Sequence, residues 1–169
     1  MKDSIMKTIK LGKVTLNIGA GANQDDVEKA FKLLSALSGE KPVRTFAKKR
    51  IATWKIRPGL PIGAKVTIRG KKAQELLARL LKAVNNEIKR SSFTENGFSF
   101  GIREYIDIPD AKYDPSIGII GLDVIVSLER PGFRVKRRKL KQSNISPTHR
   151  IYKEDSIAYT QKVFGVNLK

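Results

Sequence analysis

The apolar residues of this chain change period along its length, from strand-like alternation to helical spacing and back, twice over. That rhythm leaves few folds open. Val14, Leu16 and Ile18 alternate with Lys13, Thr15 and Asn17, the pattern of a strand buried on one face. Gly19–Asn23 breaks the alternation. Val27, Ala30, Phe31, Leu34 and Leu37 then recur at helical spacing behind Asp25, Asp26 and Glu28, acids that suit the positive end of a helix dipole. Gly39 and Pro42 predict the helix end. Two extended segments are expected over 42–48 and 64–69, the second with Val66 and Ile68 on one side and Lys65, Thr67 and Arg69 on the other. A second amphipathic helix is expected over about 72–90, with Ala73, Leu76, Leu77, Leu80, Val84 and Ile88 as its stripe. After the Asn96-Gly97 turn signal, Phe98, Phe100 and Ile102 mark one strand and Leu122, Val124, Val126 and Leu128 another. A short helix near 154–163 closes the chain, and the polar lead-in over 1–11 has no clear period.

The resulting order, β-α-β-β-α-β-β, predicts an α+β fold with an antiparallel sheet and both helices packed on one face. The other face of such a sheet is left open. The alternation assigns Thr15, Asn17, Lys65, Thr67 and Arg69 to it. A length of 169 residues, 40% of them hydrophobic, fits one domain over 1–169 with a real core.

The charge says what such a face would meet. The formal net charge is +18, far enough from zero to point to nucleic acid or another anionic surface. Residues 41–74 hold 11 Lys or Arg and no acid. A solvated face mixes signs because like charges repel, so this stretch reads as a polyanion-binding device. Between its two extended segments runs a loop punctuated by Pro58-Gly59, Pro61 and Gly63 and carrying Arg50, Trp54, Lys55 and Arg57. Trp54, the one tryptophan, has two readings, stacking on a base or anchoring the loop to the body. Residues 130–153 are likewise basic and free of acids, with Arg134, Lys136, Arg137, Arg138, Lys139 and Lys141 at the centre. Mutual repulsion among these cations predicts an arm that is mobile until RNA orders it. The two stretches hold 20 of the 34 basic residues and none of the 16 acids, so the rest of the chain is close to neutral.

Other functions find little support. With no Cys, neither a disulfide framework nor a thiolate metal site exists, and His149 stands alone. No apolar run suffices for a membrane span and no signal-peptide core is visible, so a soluble, cytoplasmic protein is expected. GAGANQ follows a strand and precedes a helix, but it lacks the third glycine of a dinucleotide loop and the Gly-Lys-Ser/Thr of a triphosphate loop. A turn that packs helix on strand is the better reading. The carboxylates are scattered, with no catalytic motif among them, so neither an enzyme nor a cofactor is expected. Phe98 and Phe100 read as core rather than as a base-stacking platform.

The runs KVTLNIGAG (13–21), SGEKPVRTFAKKRIATWKIRPGLPIGAKVTIRG (38–70) and GFSFGIREYIDIPDAKYDPSIGIIGLDVIVSLERPGF (97–133) resemble the universal L-five family of large-subunit ribosomal proteins. YDPSIGIIGLD, RPGF and the basic arm after them resemble its archaeal and eukaryotic members, the archaeal ones most closely. The resemblance covers nearly the whole chain. It implies a protein of the central protuberance that binds 5S rRNA on the open face of its sheet, beside large-subunit rRNA and other 5S-binding ribosomal proteins. It also implies that the loop over about 50–63 reaches the elbow of the peptidyl-site tRNA, and that a small-subunit head protein is touched across an intersubunit bridge. Carried over position by position, the 5S contacts fall on Asn17, Thr67 and Arg69, with Thr15 and Lys65 beside them. The tRNA-facing residues fall on Lys55 and Arg57 more securely than on Trp54. A further family contact is commonly Gln where this chain has Glu40, which offers no donor and repels phosphate. The alternative is a transient ribosome assembly factor or RNA chaperone of similar fold.

Overall fold

The computed structural model describes residues 4–169, so the first three residues of the lead-in lie outside the described residues. In chain order the strands and α-helices are β1 (Lys10–Gly19), α1 (Gln24–Ser38), β2 (Val43–Phe46), β3 (Pro61–Ile68), α2 (Lys71–Ala83), β4 (Glu87–Ile88), β5 (Phe93–Thr94), β6 (Gly97–Ile102), β7 (Leu122–Glu129), α3 (Arg134–Arg137), α4 (Lys153–Phe164) and β8 (Asn167–Leu168). Six strands form an antiparallel sheet in the order β2-β3-β1-β7-β6-β5, while β4 and β8 pair in parallel beside it. This is the α+β class that the apolar rhythm predicts.

Register explains why the sheet has one dry face. Val14 lies opposite Ile68 of β3 and Val126 of β7, and Leu16 opposite Val66 and Val124. Ala30, Leu34 and Leu37 of α1 and Leu76, Leu77 and Leu80 of α2 join these side chains in one core, together with Phe98 of β6. The GAGAN turn does local work. The Asn23 side chain accepts the backbone N–H of Asp25 at 3.2 Å, which caps α1 at a point where four N–H groups lack helical partners. Gly39, at φ 64°, closes the helix.

Helix α2 stops at Ala83, well short of the expected 90. Asn85 and Asn86 adopt left-handed backbone at φ 54° and 56°, and their amides donate back to Lys82 O at 3.0 Å and Leu81 O at 2.9 Å. Asn tolerates this region better than other residues with a Cβ. Ile88 is buried all the same, through β4: its carbonyl accepts the Lys169 amide at 3.0 Å. Helical spacing therefore claims a residue that a strand buries. Replacing Asn86 with Ala should cost about 1 kcal/mol in urea unfolding, and replacing it with Gly should cost almost nothing. Equal losses for the two variants would mean that the left-handed turn is not what Asn86 supplies.

The strands shift by a few residues too. β3 begins at Pro61 rather than 64, leaving Arg69 just past its end, and β2 covers only Val43–Phe46. The basic arm, for which repulsion predicts mobility, is folded back on the body in this structure. Its charges meet acids from outside the arm: Arg137 pairs with Glu129 of β7 at 2.8 Å, and Arg130 with Asp155 of α4 at 3.2 Å. Counting charge within 130–153 alone omits both partners. Gln142 Nε2 donates to Lys136 O at 2.6 Å, and Arg138 Nε to Lys141 O at 2.7 Å.

Candidate nucleic-acid interface

The strand residues that alternate with the core side chains form the sheet's other face, to which neither α1 nor α2 packs. Thr15 lies between Thr67 of β3 and Ile125 of β7, and Asn17 between Lys65 and Asp123. The rows continue onto β6, where Ser99 pairs with Ile125 and Gly101 with Asp123, and onto β2, where Val43 pairs with Lys65. Thr15, Asn17, Lys65 and Thr67 are thus direct neighbours on two central strands, with Arg69 one residue beyond. Lys65 and Arg69 are exposed; Thr15, Asn17 and Thr67 are half-buried by the strands around them. Among the described residues, no hydrogen bond or ion pair engages any of these five side chains.

Chemically, the patch offers hydroxyls and an amide that both donate and accept, flanked by two cations that only donate. Such a set can bind ribose hydroxyls and phosphates together, the groups that an RNA helix displays when its base edges are hidden. A search for cations overlooks Asp123, Ile125 and Ser99, which share this face. Their alternation is visible in the sequence, but their place beside Asn17 and Thr15 needs the strand order.

The loop between β2 and β3 is a small hairpin of its own. Ile51 and Ile56 exchange both backbone hydrogen bonds at 3.0 Å, and the turn between them closes with Lys55 N–H on Ala52 O at 3.0 Å. At its base, Leu60 N–H donates to Arg57 O at 3.1 Å across Pro58-Gly59, with Gly59 at φ 83°, as a type II turn requires. Arg50, Lys55 and Arg57 are exposed. Trp54 is 64% exposed, so it does not anchor the loop; Ile56, 8% exposed, is the hairpin's buried side chain.

Comparison with known proteins covers the same ground from the sequence side. Residues 4–57 match the family described as ribosomal protein L5, and residues 61–159 match the C-terminal region of the same ribosomal family. The chain is 54% identical over 164 residues to the large ribosomal subunit protein uL5 of Nanoarchaeum equitans, covering 96% of this chain and 97% of that one. It is 48% identical to the protein of that name from Sulfurisphaera tokodaii, over 96% of this chain and 93% of the relative. The corresponding protein of Methanosphaera stadtmanae is 41% identical over 98% of this chain and 99% of its own. The chain belongs to the ribosomal protein L5 family.

Membership in a family of ribosomal proteins agrees with the reading that the chain is no enzyme. The residues that tempted other readings have structural work to do. His149 Nε2 lies 2.8 Å from Pro131 O and its ring meets Phe133 edge-on at 5.9 Å. Phe98 is in the core and Phe100 packs partly against it. No helix among the described residues is long and apolar enough to cross a membrane.

In this L5-family chain the arm presents Arg134, Lys136, Arg137, Arg138, Lys139 and Lys141, all exposed. Glu40 accepts Lys72 Nζ at 2.8 Å. That hydrogen bond and the charge behind it hold the Glu40 carboxyl below its usual range and raise the Lys72 ammonium above its own. Because the carboxyl is depressed, the pair is intact above the ordinary carboxylate range and is lost as pH falls through the lowered value. Glu40→Gln should free Lys72 and remove an anion beside the basic stretch. The expected result is tighter rRNA binding in low-salt filter assays, with the gain fading as salt rises. A gain that is independent of salt would point to the amide itself.

Proposed function

We propose that this chain is a structural constituent of the large subunit of the cytoplasmic ribosome, and that it holds 5S rRNA against the sheet face opposite the helices. One observation carries the reading: the register that brings Thr15 beside Thr67 and Asn17 beside Lys65, with Arg69 just past the end of β3. Asn17, Thr67 and Arg69 are the positions on which the resemblance puts the family's 5S contacts, and Thr15 and Lys65 share their face. Thr15, Thr67 and Asn17 take ribose hydroxyls, while Lys65 and Arg69 take phosphate, Arg69 through the fork of its guanidinium. The arm residues from Arg134 to Lys141 extend the contact along rRNA. The 50–63 hairpin meets the peptidyl-site tRNA elbow through Arg50, Lys55 and Arg57, with Trp54 exposed at its tip. Backbone contacts of this kind ignore sequence, as a protein that serves every tRNA requires. The partners are completed by other 5S-binding ribosomal proteins and by a small-subunit head protein at an intersubunit bridge. The whole chain works as one domain.

Sedimentation of cell lysates through high-salt gradients tests this role. A permanent constituent stays with the large subunit at one copy each. A protein washed off the subunits at high salt would be a transient assembly factor instead.

A further inference from the structure

The folded-back arm closes over one end of the sheet. Between the arm and the end of the sheet lies a cavity of about 420 Å³. Its sheet side is formed by Lys13 and Ser127, cross-strand partners on the face opposite the helices, and by Asn96 from the β5–β6 turn. Phe133, Lys136, Asn144 and Arg150 close it from the arm. Phe133, largely buried, gives it an apolar wall.

The charge in this space is unbalanced. Lys13, Lys136 and Arg150 have no carboxylate partner among the described residues, whereas Arg137, the fourth cation of the lining, is spent on Glu129 at 2.8 Å. Glu95 is the one carboxylate in the lining. Arg150 Nε is tied to Ile145 O at 3.3 Å, which fixes the guanidinium to the arm while leaving its terminal nitrogens to bind an anion.

We propose that this cavity takes one unstacked nucleotide of the 5S rRNA, with its phosphate against Lys13, Lys136 and Arg150. The base lies on the Phe133 side, within reach of the Asn96 and Asn144 amides. The inference rests on the reading that the chain binds this RNA. Three features favour a nucleotide over a bare phosphate or an acidic peptide. The volume falls in the range of clefts that hold small organic ligands, about 300–1,000 Å³, and a phosphate would leave most of it empty. Side-chain amides present a donor and an acceptor side by side, the pattern that base edges offer. The apolar edge that Phe133 sets beside the cations suits a base better than it suits a bare anion.

The test is an NMR titration of the full chain with each of the four nucleoside 5′-monophosphates and with inorganic phosphate, repeated on the complex with 5S rRNA. The proposal expects saturable amide shifts at Lys13, Asn96, Ser127 and Asn144, and at least one nucleotide binding about tenfold tighter than phosphate. The double variant Lys13→Gln/Asn144→Ala, altered only in polar groups, should lose that preference while keeping its fold. Bound 5S rRNA should exclude the nucleotide. Absence of saturable shifts, equal binding of phosphate, or unchanged binding by the double variant would overturn the proposal. So would a nucleotide that still enters the RNA complex, which would make the site one for a free ligand. A wild-type chain that failed to bind 5S rRNA at all would overturn the proposed function itself. Intact 5S binding without nucleotide uptake would remove only the cavity.

Discussion

Arg69→Ala should weaken 5S rRNA binding by about 1.5–3 kcal/mol, roughly ten- to a hundredfold, because it removes a charge-assisted contact. Arg69 is exposed and lies past the end of β3, so its loss leaves the strand ladder and the core untouched. Asn17→Ala should act in the same direction by about 1 kcal/mol, the usual worth of a neutral hydrogen bond. Asn17 is half-buried between Lys65 and Asp123 but its side chain is bonded to neither, so its amide is free to serve a partner. Both variants should melt like the wild type, which separates a binding effect from a folding one. Filter binding at matched salt reads the loss. Near-wild-type affinity in both variants would take this face of the sheet out of the site.

Replacing Arg50, Lys55 and Arg57 together with Ala should scarcely alter 5S affinity and should weaken tRNA retention in the peptidyl site of assembled ribosomes. The structure gives a reason for that separation. The 51–56 hairpin closes on itself through the Ile51–Ile56 hydrogen bonds, and the Pro58-Gly59 turn sets it off from β3. The cations on it are therefore expected to act apart from the patch around Thr15 and Thr67. Sites more than about 7–10 Å apart with no shared partner behave additively. Each phosphate contact removed should lower the salt slope of tRNA binding by roughly 0.7–0.9. A triple variant that lost 5S binding as severely as Arg69→Ala, with peptidyl-site tRNA unaffected, would give the loop the wrong task.

Much of this architecture is legible in the sequence, because one-sided burial leaves a strict period. Val14, Leu16 and Ile18 declare both the strand and the face that Thr15 and Asn17 occupy. The helix from Gln24 to Ser38 is framed by Asn23 and Gly39, each with a physical reason to stand there. What periodicity misses is structure made by a few residues at a time. Ile88 follows the helical stripe in spacing yet belongs to a two-residue strand, since both geometries bury it. The place of Asp123 next to Asn17 depends on β7 pairing with β1, which no local pattern reveals. The folded arm depends on Glu129 and Asp155, acids that lie just outside the basic segment itself. Trp54 illustrates a further limit. Its neighbours in sequence fit an anchor and a stacking residue equally, and only its exposure in the folded chain decides against the anchor.

The proposed function puts the face carrying Thr15, Asn17, Thr67 and Arg69 on 5S rRNA. Ultraviolet crosslinking in intact cells, followed by sequencing of the attached RNA and identification of the attached peptides, addresses it directly. The expected result is 5S rRNA joined to peptides from 13–17 and 65–69, and tRNA joined only to peptides from the 50–63 hairpin. Crosslinks of 5S rRNA confined to α1 and α2, on the opposite side of the sheet, would contradict it.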